Sequence, residues 1–169
     1  YGVRYYNQQN DADIQVLGWN PEEETGVFTG DFESLENGRN VTQSFIDEGA
    51  DIVLPVAGPV GQGSAALAQE VGGIWIIGVD ADWKETVPQY EDVVLTSVLK
   101  GLDVAVYDTI DAMVNGNYEG GTQNFGIQEE GVGLGPIDDS VDQALVDEVE
   151  GLQEQLISGE LVASDMAEG

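Results

Sequence analysis

The sequence predicts an α/β fold with a mostly parallel sheet flanked by helices. Short aliphatic runs, such as residues 51–54 and 74–78, alternate with segments whose apolar residues recur at helical spacing. Continuous aliphatic runs are typical of strands buried on both faces of a parallel sheet. Strands that alternate with amphipathic helices indicate parallel crossover connections. With 169 residues, the chain is long enough for one domain with its own core.

The first part of the chain is predicted to contain one strand, one long loop and one helix. Residues 14–19 are apolar and end at an Asn-Pro pair, which favours a strand followed by a turn. A long loop then leads to Ser34, whose side chain can cap a helix. The helix carries its apolar residues on one face and is predicted to end at Gly49, because glycine is preferred just beyond a helix.

The middle of the chain is predicted to form three further strands at residues 51–54, 74–78 and 93–96. A short helix over residues 64–71 separates the first two strands. A longer helix over residues 99–114 follows the last one, with apolar side chains three and four positions apart.

The C-terminal part is predicted to contain two short extended pieces and a final helix. The extended pieces are residues 124–127 and 131–134. The helix carries aligned apolar residues between positions 141 and 156, and Asp138 or Asp139 is predicted to cap it.

The charge balance is the most unusual property of the composition. The chain has 33 Asp and Glu residues against 4 Lys and Arg residues, a formal net charge of −29. Such a surface repels phosphates and anionic lipid head groups, so no nucleic acid and no membrane surface is expected as a partner. Self-repulsion on this scale is relieved at molar salt, where the Debye length is about 3 Å. An acidic surface spread over the whole chain therefore predicts a protein from a salt-loving organism.

The chain contains neither cysteine nor histidine. Disulfides and thiolate chemistry are therefore excluded, and the commonest general base and transition-metal ligand are missing. A zinc site with cysteine ligands is excluded as well. No run approaches the ~20 apolar residues that a membrane span needs.

A glycine-rich turn over residues 58–63 follows the strand at 51–54. The turn lacks the Gly-Lys-Ser/Thr ending of a phosphate loop, so it does not predict a nucleotide site. It is either a tight connection between strand and helix, or a place where bare backbone amides, beginning at Gly58, approach a ligand closely.

Two acids, Asp80 and Asp82, come directly after the strand at 74–78. A carboxylate at a strand end can accept two hydrogen bonds, which suits the vicinal hydroxyls of a sugar. The simpler alternative, favoured for Asp82, is that these are surface acids. A third alternative is a magnesium-dependent phosphatase that uses Asp80 as its nucleophile, which would need a further carboxylate and a lysine.

Lys100 and Phe32 complete the set of candidate ligand-binding residues. Lys100 is one of only four cationic side chains and stands before a predicted helix, where the helix dipole disfavours a positive charge. Either a salt bridge or hydrogen bonds to a ligand hydroxyl or ring oxygen would stabilise it there. Aromatic residues of the long loop, Trp19, Phe28 and Phe32, can cover the face of a flat ligand or pack in the core. Phe32 is the preferred candidate because it lies nearest Ser34.

Seven segments are informative when they are taken together: Thr29-Gly30-Asp31-Phe32 with Gly38 downstream, residues 49–53, residues 56–63, residues 75–82, residues 94–100, residues 131–134 and residues 155–160. In this order they resemble the basic-membrane-protein family, also called PnrA-like, of substrate-binding lipoproteins for nucleoside ABC transporters. The sequence departs from the family pattern at Pro59-Val60, where a pair such as Gly-Thr is usual, and at Trp83, which replaces a polar residue.

The resemblance implies one lobe of a type I periplasmic-binding fold that closes on a nucleoside without performing chemistry. It accordingly implies that the protein is not an enzyme and has no catalytic residue, no metal and no cofactor. Asp80 and Lys100 would bind ribose hydroxyls, Gly58 would make a backbone contact, and Phe32 would stack on the base. The implied setting is the extracellular side of the cell surface, held by a lipid anchor outside this chain, with an ABC permease in the membrane as partner.

The resemblance also implies that residues 1–162 are the C-terminal part of a two-lobed protein, followed by a flexible tail at 163–169. The first lobe would precede Tyr1, and the helix at 99–114 would normally pack in it. In a fragment, the exposed face of that helix could pair with a second copy, giving a homodimer. A sensory or regulatory effector domain of the same fold is the alternative function.

Overall fold

The computed structural model describes residues 1–162 and shows an α/β fold with a mostly parallel sheet, as predicted. The helices are α1 (Gly2–Asn10), α2 (Leu35–Asp47), α3 (Gly61–Val71), α4 (Trp83–Thr86), α5 (Leu102–Val114) and α6 (Gln143–Ser158), with a 3₁₀ helix at Pro88–Val93. The strands are β1 (Trp19–Asn20), β2 (Thr25–Gly26), β3 (Ile52–Val53), β4 (Trp75–Asp80), β5 (Val94–Lys100) and β6 (Val132–Leu134). The predicted tail at 163–169 lies outside the described residues.

Within residues 1–162, the main sheet has four strands in the order β3-β4-β5-β6. Strands β3, β4 and β5 are parallel, and β6 is antiparallel to β5 at the edge. Strands β1 and β2 form a separate antiparallel hairpin. The carboxyl ends of β3, β4 and β5 therefore lie along one edge of the sheet.

The core lies between α3 and the strands β4 and β5. Its buried side chains are Val53, Ala65, Ala68, Ile74, Ile76, Trp83, Val93 and Val94. Helix α2 packs against α3 through small residues. A Cβ added at Gly38 would lie 2.0 Å from the Val60 carbonyl oxygen, and one added at Gly63 would lie 1.9 Å from that of Leu35. This close approach lets the Thr42 hydroxyl donate a buried 2.7 Å hydrogen bond to the Ser64 hydroxyl.

The predicted helix after Ser34 is confirmed at both ends. The Ser34 side chain accepts a hydrogen bond from the Asn37 amide, and α2 follows it directly. Gly49 follows the helix in the left-handed region with φ +102°. Both ends depend on short-range hydrogen bonds and backbone preferences, which are visible in the sequence.

The predicted first strand at residues 14–19 is wrong. Only Trp19 belongs to a strand, and it pairs with the next segment of the hairpin rather than with the main sheet. Ile14 and Val16 are about half exposed, because the chain places no neighbouring strand beside them in residues 1–162. Helix α1, which the sequence analysis did not predict, precedes this segment.

Three predictions in the second half also need correction. Strand β5 continues to Lys100 rather than ending at residue 96, because it pairs on both sides, and α5 accordingly begins at Leu102. Residues 124–127 do not form a strand. Helix α6 is capped by Asp142, which accepts from the Ala144 amide, rather than by Asp138 or Asp139.

Helix α5 lies outside the core. Several of its large apolar side chains are more than half exposed, among them Leu102, Val106, Ile110 and Met113, and no residue of α5 is buried by any part of residues 1–162. None of the helices in this range has both the length and the apolar character that a membrane span requires.

Candidate functional site

The structure brings Asp80 and Lys100 together at the carboxyl edge of the sheet. Asp80 is the last residue of β4, and Lys100 is the last residue of the neighbouring parallel strand β5. The Lys100 Nζ atom lies 2.5 Å from the Asp80 Oδ1 atom. The two side chains keep 55% and 51% of their exposure, so both remain accessible to a ligand. Lys100 ends β5 and precedes α5 as expected, although this helix begins at Leu102 and not at position 99.

Phe32 and Gly58 form a second pair of adjacent residues. The Phe32 carbonyl oxygen accepts a 3.0 Å hydrogen bond from the Val60 amide, which ties the loop before α2 to the glycine turn. A Cβ added at Gly58 would lie 3.6 Å from that oxygen. The Phe32 side chain is 70% exposed, so it does not pack in the core. The Gly58 amide donates no backbone hydrogen bond within the described part of the chain.

Asp31 organises the turn that carries Phe32. Its carboxylate accepts hydrogen bonds from the Ser34 amide at 2.6 Å, from the Asn37 side chain and from the Glu33 amide at 2.9 Å. These hydrogen bonds, that of Ser34 foremost, hold the pKa of Asp31 below its ordinary value. The turn therefore has a fixed geometry at neutral pH, which sets where Phe32 leaves the backbone.

Asp82 has a structural role at the start of α4. It is the N-cap of α4, where its carboxylate accepts a 2.9 Å hydrogen bond from the Lys84 amide. In residues 1–162 no three acidic side chains are grouped so that they could hold a metal ion. The arrangement thus offers nothing that favours the phosphatase alternative.

Trp83, which the sequence showed only as a departure from the family pattern, is buried at the base of the site. It is 6% exposed, and its indole Nε1 donates a 3.0 Å hydrogen bond to the Val79 carbonyl oxygen next to Asp80. The feature of the sequence that reflects this packing is the glycine at position 78. A Cβ there would lie 2.5 Å from the Trp83 Cγ atom, so the tryptophan needs a glycine at this place in β4. Spacing alone could not relate a glycine on β4 to a tryptophan beyond its end.

An apolar cleft of about 420 Å³ lies beside the Phe32 turn. The residues that line it come from the loop before α2, from α2 itself and from the connection between β3 and α3. They include Phe28, Phe32, Val41, Phe45, Leu54, Val56 and Val60. Gly58, Asp80 and Lys100 do not line it, so Phe32 is the one of the four candidate residues that borders the cleft.

Comparisons with known proteins agree with this architecture. The family "ABC transporter substrate-binding protein PnrA-like" matches residues 19–166. A "CD4+ T-cell-stimulating antigen" of Listeria monocytogenes is 29% identical over 95% of this chain and 45% of its own length. "Basic membrane protein A1" of Borrelia garinii is 31% identical over 95% of this chain and 44% of its own length.

A solved structure of similar fold is an ABC transporter solute-binding protein from Aeropyrum pernix. It is 25% identical, with a TM-score of 0.76 over 96% of this chain and 51% of that one. The chain thus spans about half the length of the proteins that it matches. Because the family match extends over most of its residues, the chain belongs to the PnrA-like family of ABC transporter substrate-binding proteins.

Proposed function

We propose that this chain is the C-terminal lobe of an extracellular solute-binding protein that delivers a nucleoside to an ABC permease. Asp80 and Lys100 bind the ribose hydroxyls, Gly58 contributes a backbone contact and Phe32 stacks on the base. Closure of a second lobe over these residues sequesters the ligand and creates the form that the permease recognises. The protein performs no chemistry in this scheme.

The observation that carries the proposal is the ion pair of Asp80 and Lys100 at the carboxyl edge of the sheet. Ligands of open α/β sheets bind outside the carboxyl ends of the strands. A carboxylate and an ammonium group side by side accept from and donate to a pair of neighbouring hydroxyls. An exposed ion pair contributes only about 0–1 kcal/mol to stability, so a purely structural role would gain little from it.

The arrangement of Phe32 and Gly58 supports a flat ligand with hydrogen-bonding groups. Phe32 projects from a turn that is held by Asp31, and its ring is exposed beside an apolar cleft. An aromatic face next to a backbone amide suits a heterocyclic base, because the base stacks on the ring and accepts from the amide.

The exposed face of α5 supports the two-lobed arrangement. A helix with apolar side chains in water is unfavourable by about 25 cal/mol per Å² of exposed apolar surface. Packing in the other lobe of the same protein would cover this face, and a second copy of the chain would cover it in a fragment. The relatives are about twice as long as this chain, which leaves room for such a lobe.

The proposed setting is the outer cell surface of a salt-loving organism, with a lipid anchor outside this chain. The family description places the protein with ABC transporters, whose substrate-binding components meet a membrane permease. The net charge of −29 fits a medium in which salt screens repulsion between carboxylates.

The test is a titration of the 169-residue chain with adenosine, guanosine, inosine, uridine and cytidine in 2 M NaCl, followed by NMR. Shifts of the Asp80, Lys100, Gly58 and Phe32 signals are expected with at least one ribonucleoside, and weaker binding with its 2′-deoxy form. Asp80→Ala should weaken binding at least tenfold, because charge-assisted hydrogen bonds contribute about 1.5–3 kcal/mol.

The matched control is Glu70→Gln, which breaks the exposed ion pair of Glu70 with Arg39. Glu70 lies in the last turn of α3, whereas the glycine turn overlaps its first turn, so this variant should bind like the original chain. Equal affinity of the Asp80→Ala variant and the original chain would refute the assigned site. Binding of other solutes but of no nucleoside would refute the proposed ligand.

A further inference from the structure

Asp80 is the central residue of a tight turn with unusual backbone geometry. The Ala81 amide donates a 2.9 Å hydrogen bond to the Val79 carbonyl oxygen, which closes a three-residue turn around Asp80. The φ angle of Asp80 is +72°. Three-residue turns with a positive central φ are rare and strained, and such backbone persists only where the surroundings impose it. Something next to Asp80 must therefore hold this turn.

The indole of Trp83 contacts this turn directly. The Val79 carbonyl oxygen accepts a second hydrogen bond, 3.0 Å long, from Trp83 Nε1. Both hydrogen bonds fix the orientation of the peptide group immediately before Asp80. The position of the Asp80 carboxylate thus depends on where the indole lies.

Trp83 also contacts the strand that carries Lys100. Its backbone amide donates a 3.1 Å hydrogen bond to the hydroxyl of Ser97, which is fully buried in β5. Ser97 precedes Lys100 by three residues on the same strand. This contact connects the segment that follows Asp80 to β5, the strand that ends at Lys100.

The far edge of the same ring reaches the glycine turn. A Cβ added at Gly61 would lie 3.0 Å from the Trp83 Cη2 atom, so the indole lies close against the start of α3. Gly61 is the first residue of α3, and its amide donates to the Gly58 carbonyl oxygen at 3.1 Å. Trp83 therefore contacts β4 and the start of α3 through its indole, and β5 through its backbone amide.

We infer that Trp83 is a positioning residue that fixes the Asp80 turn relative to Lys100 and to the glycine turn. The inference rests on the proposed function, since it concerns the geometry of the same ligand site. Trp83 itself need not touch the ligand. It acts by holding the carboxylate where two ribose hydroxyls can reach it.

The test compares Trp83→Phe with Trp75→Phe in the 169-residue chain in 2 M NaCl. Phenylalanine keeps an aromatic ring but loses the donor to Val79, and Trp75 lies at the opposite end of β4 as the matched control. The ligand is the one of the five ribonucleosides that binds the original chain best. We expect Trp83→Phe to weaken its binding about tenfold, because the variant loses one hydrogen bond that positions Asp80. Its preference over the 2′-deoxy form should also decrease. The control variant should retain both properties.

A second measurement reports on the turn without any ligand. The left-handed conformation of Asp80 gives a strong NOE between its own amide and α protons, and this NOE should weaken in Trp83→Phe but not in Trp75→Phe. Ser97→Ala, which removes the hydroxyl that accepts the hydrogen bond of the Trp83 backbone amide, should weaken it in the same direction. A merely structural tryptophan would lower the unfolding midpoint and leave this NOE and the ribose preference unchanged.

The outcomes separate this inference from the proposed function. Unchanged NOE and unchanged affinity in Trp83→Phe, with loss of binding in Asp80→Ala, would overturn the role of Trp83 and leave the nucleoside site standing. Absence of nucleoside binding in the original chain would overturn the proposed function. The NOE comparison would then still decide whether Trp83 holds the turn.

Discussion

Lys84 and Asp138 form the least exposed ion pair among residues 1–162. Their charged atoms lie 3.1 Å apart, and each side chain keeps 25% of its exposure. The Asp138 carboxylate also accepts a 3.0 Å hydrogen bond from the Ser140 amide. Hydrogen bonds from Ser140, and then the Lys84 ammonium group, lower the pKa of Asp138 to about 2. The pair connects α4, next to the candidate site, with the loop that follows β6.

The first prediction concerns the pH dependence of this pair. Because the native pKa of Asp138 lies below the ordinary 3.8, its stabilising effect is fully present above pH 4 and is lost as the pH falls toward 2. Asp138→Asn should lower the free energy of unfolding at pH 7 by about 1–2 kcal/mol. The difference from the original chain should shrink between pH 4 and pH 2.

Urea unfolding at constant ionic strength measures both effects. Asp139→Asn, at the exposed neighbouring position, is the matched control and should change the free energy of unfolding by less than about 0.5 kcal/mol. A difference between Asp138→Asn and the original chain that stays constant from pH 7 to pH 2 would contradict the assigned ionisation.

Single residues of the candidate site were predictable to different degrees. Lys100 was predictable as a candidate because the chain has so few cations, and Asp80 because it follows an aliphatic strand. Their pairing required the parallel register of β4 and β5, which depends on contacts between distant parts of the chain. Trp83 was not predicted, since its role depends on a carbonyl group, a hydroxyl group and a glycine on three separate elements.

At the scale of elements, the contact between α2 and α3 depends on the absence of two side chains. Gly38→Ala would place a Cβ 2.0 Å from the Val60 carbonyl oxygen, and Gly63→Ala would place one 1.9 Å from that of Leu35. Backbone atoms cannot move aside as a flexible side chain would. Either substitution should therefore lower the free energy of unfolding by about 1–3 kcal/mol or more.

Gly151→Ala on α6 provides the opposite control. Nothing lies within 4 Å of a Cβ added there, so alanine should stabilise the helix by about 0.5–1 kcal/mol through its higher helix propensity. Urea unfolding midpoints of the three variants test this contrast. Equal effects at all three positions would show that α2 and α3 are not packed as closely as described.

The elements that were predicted correctly are those with local signals. Helix α2 has a side-chain cap and a terminal glycine, and β4 is a continuous aliphatic run flanked by turn residues. The failed prediction at residues 14–19 had an equally apolar run but no neighbouring strand to pair with. Apolar residues alone do not distinguish a strand from an unpaired segment, because pairing is decided elsewhere in the chain.

At the scale of the whole molecule, charge is the dominant feature. All four Lys and Arg residues lie within 4.0 Å of a carboxylate, in the pairs Arg4–Glu22, Arg39–Glu70, Lys84–Asp138 and Lys100–Asp80. With 33 acidic residues against these four cations, most carboxylates have only dissolved ions to neutralise them. Folding brings these carboxylates closer together, so repulsion opposes the compact state at low salt.

We therefore expect the free energy of unfolding to rise steeply with NaCl. Most of the gain should come between 0.1 and 1 M, where the Debye length falls from about 10 Å to about 3 Å, and little should follow at higher concentration. Urea unfolding at fixed pH 7 measures the effect, and KCl should act like NaCl because screening depends on ionic strength. The control is the same series near pH 4.1, the isoelectric point of the sequence, where the salt effect should largely disappear because the net charge is small. A stability at pH 7 that does not change with NaCl, or that rises equally at both pH values, would show that repulsion between carboxylates does not limit this fold.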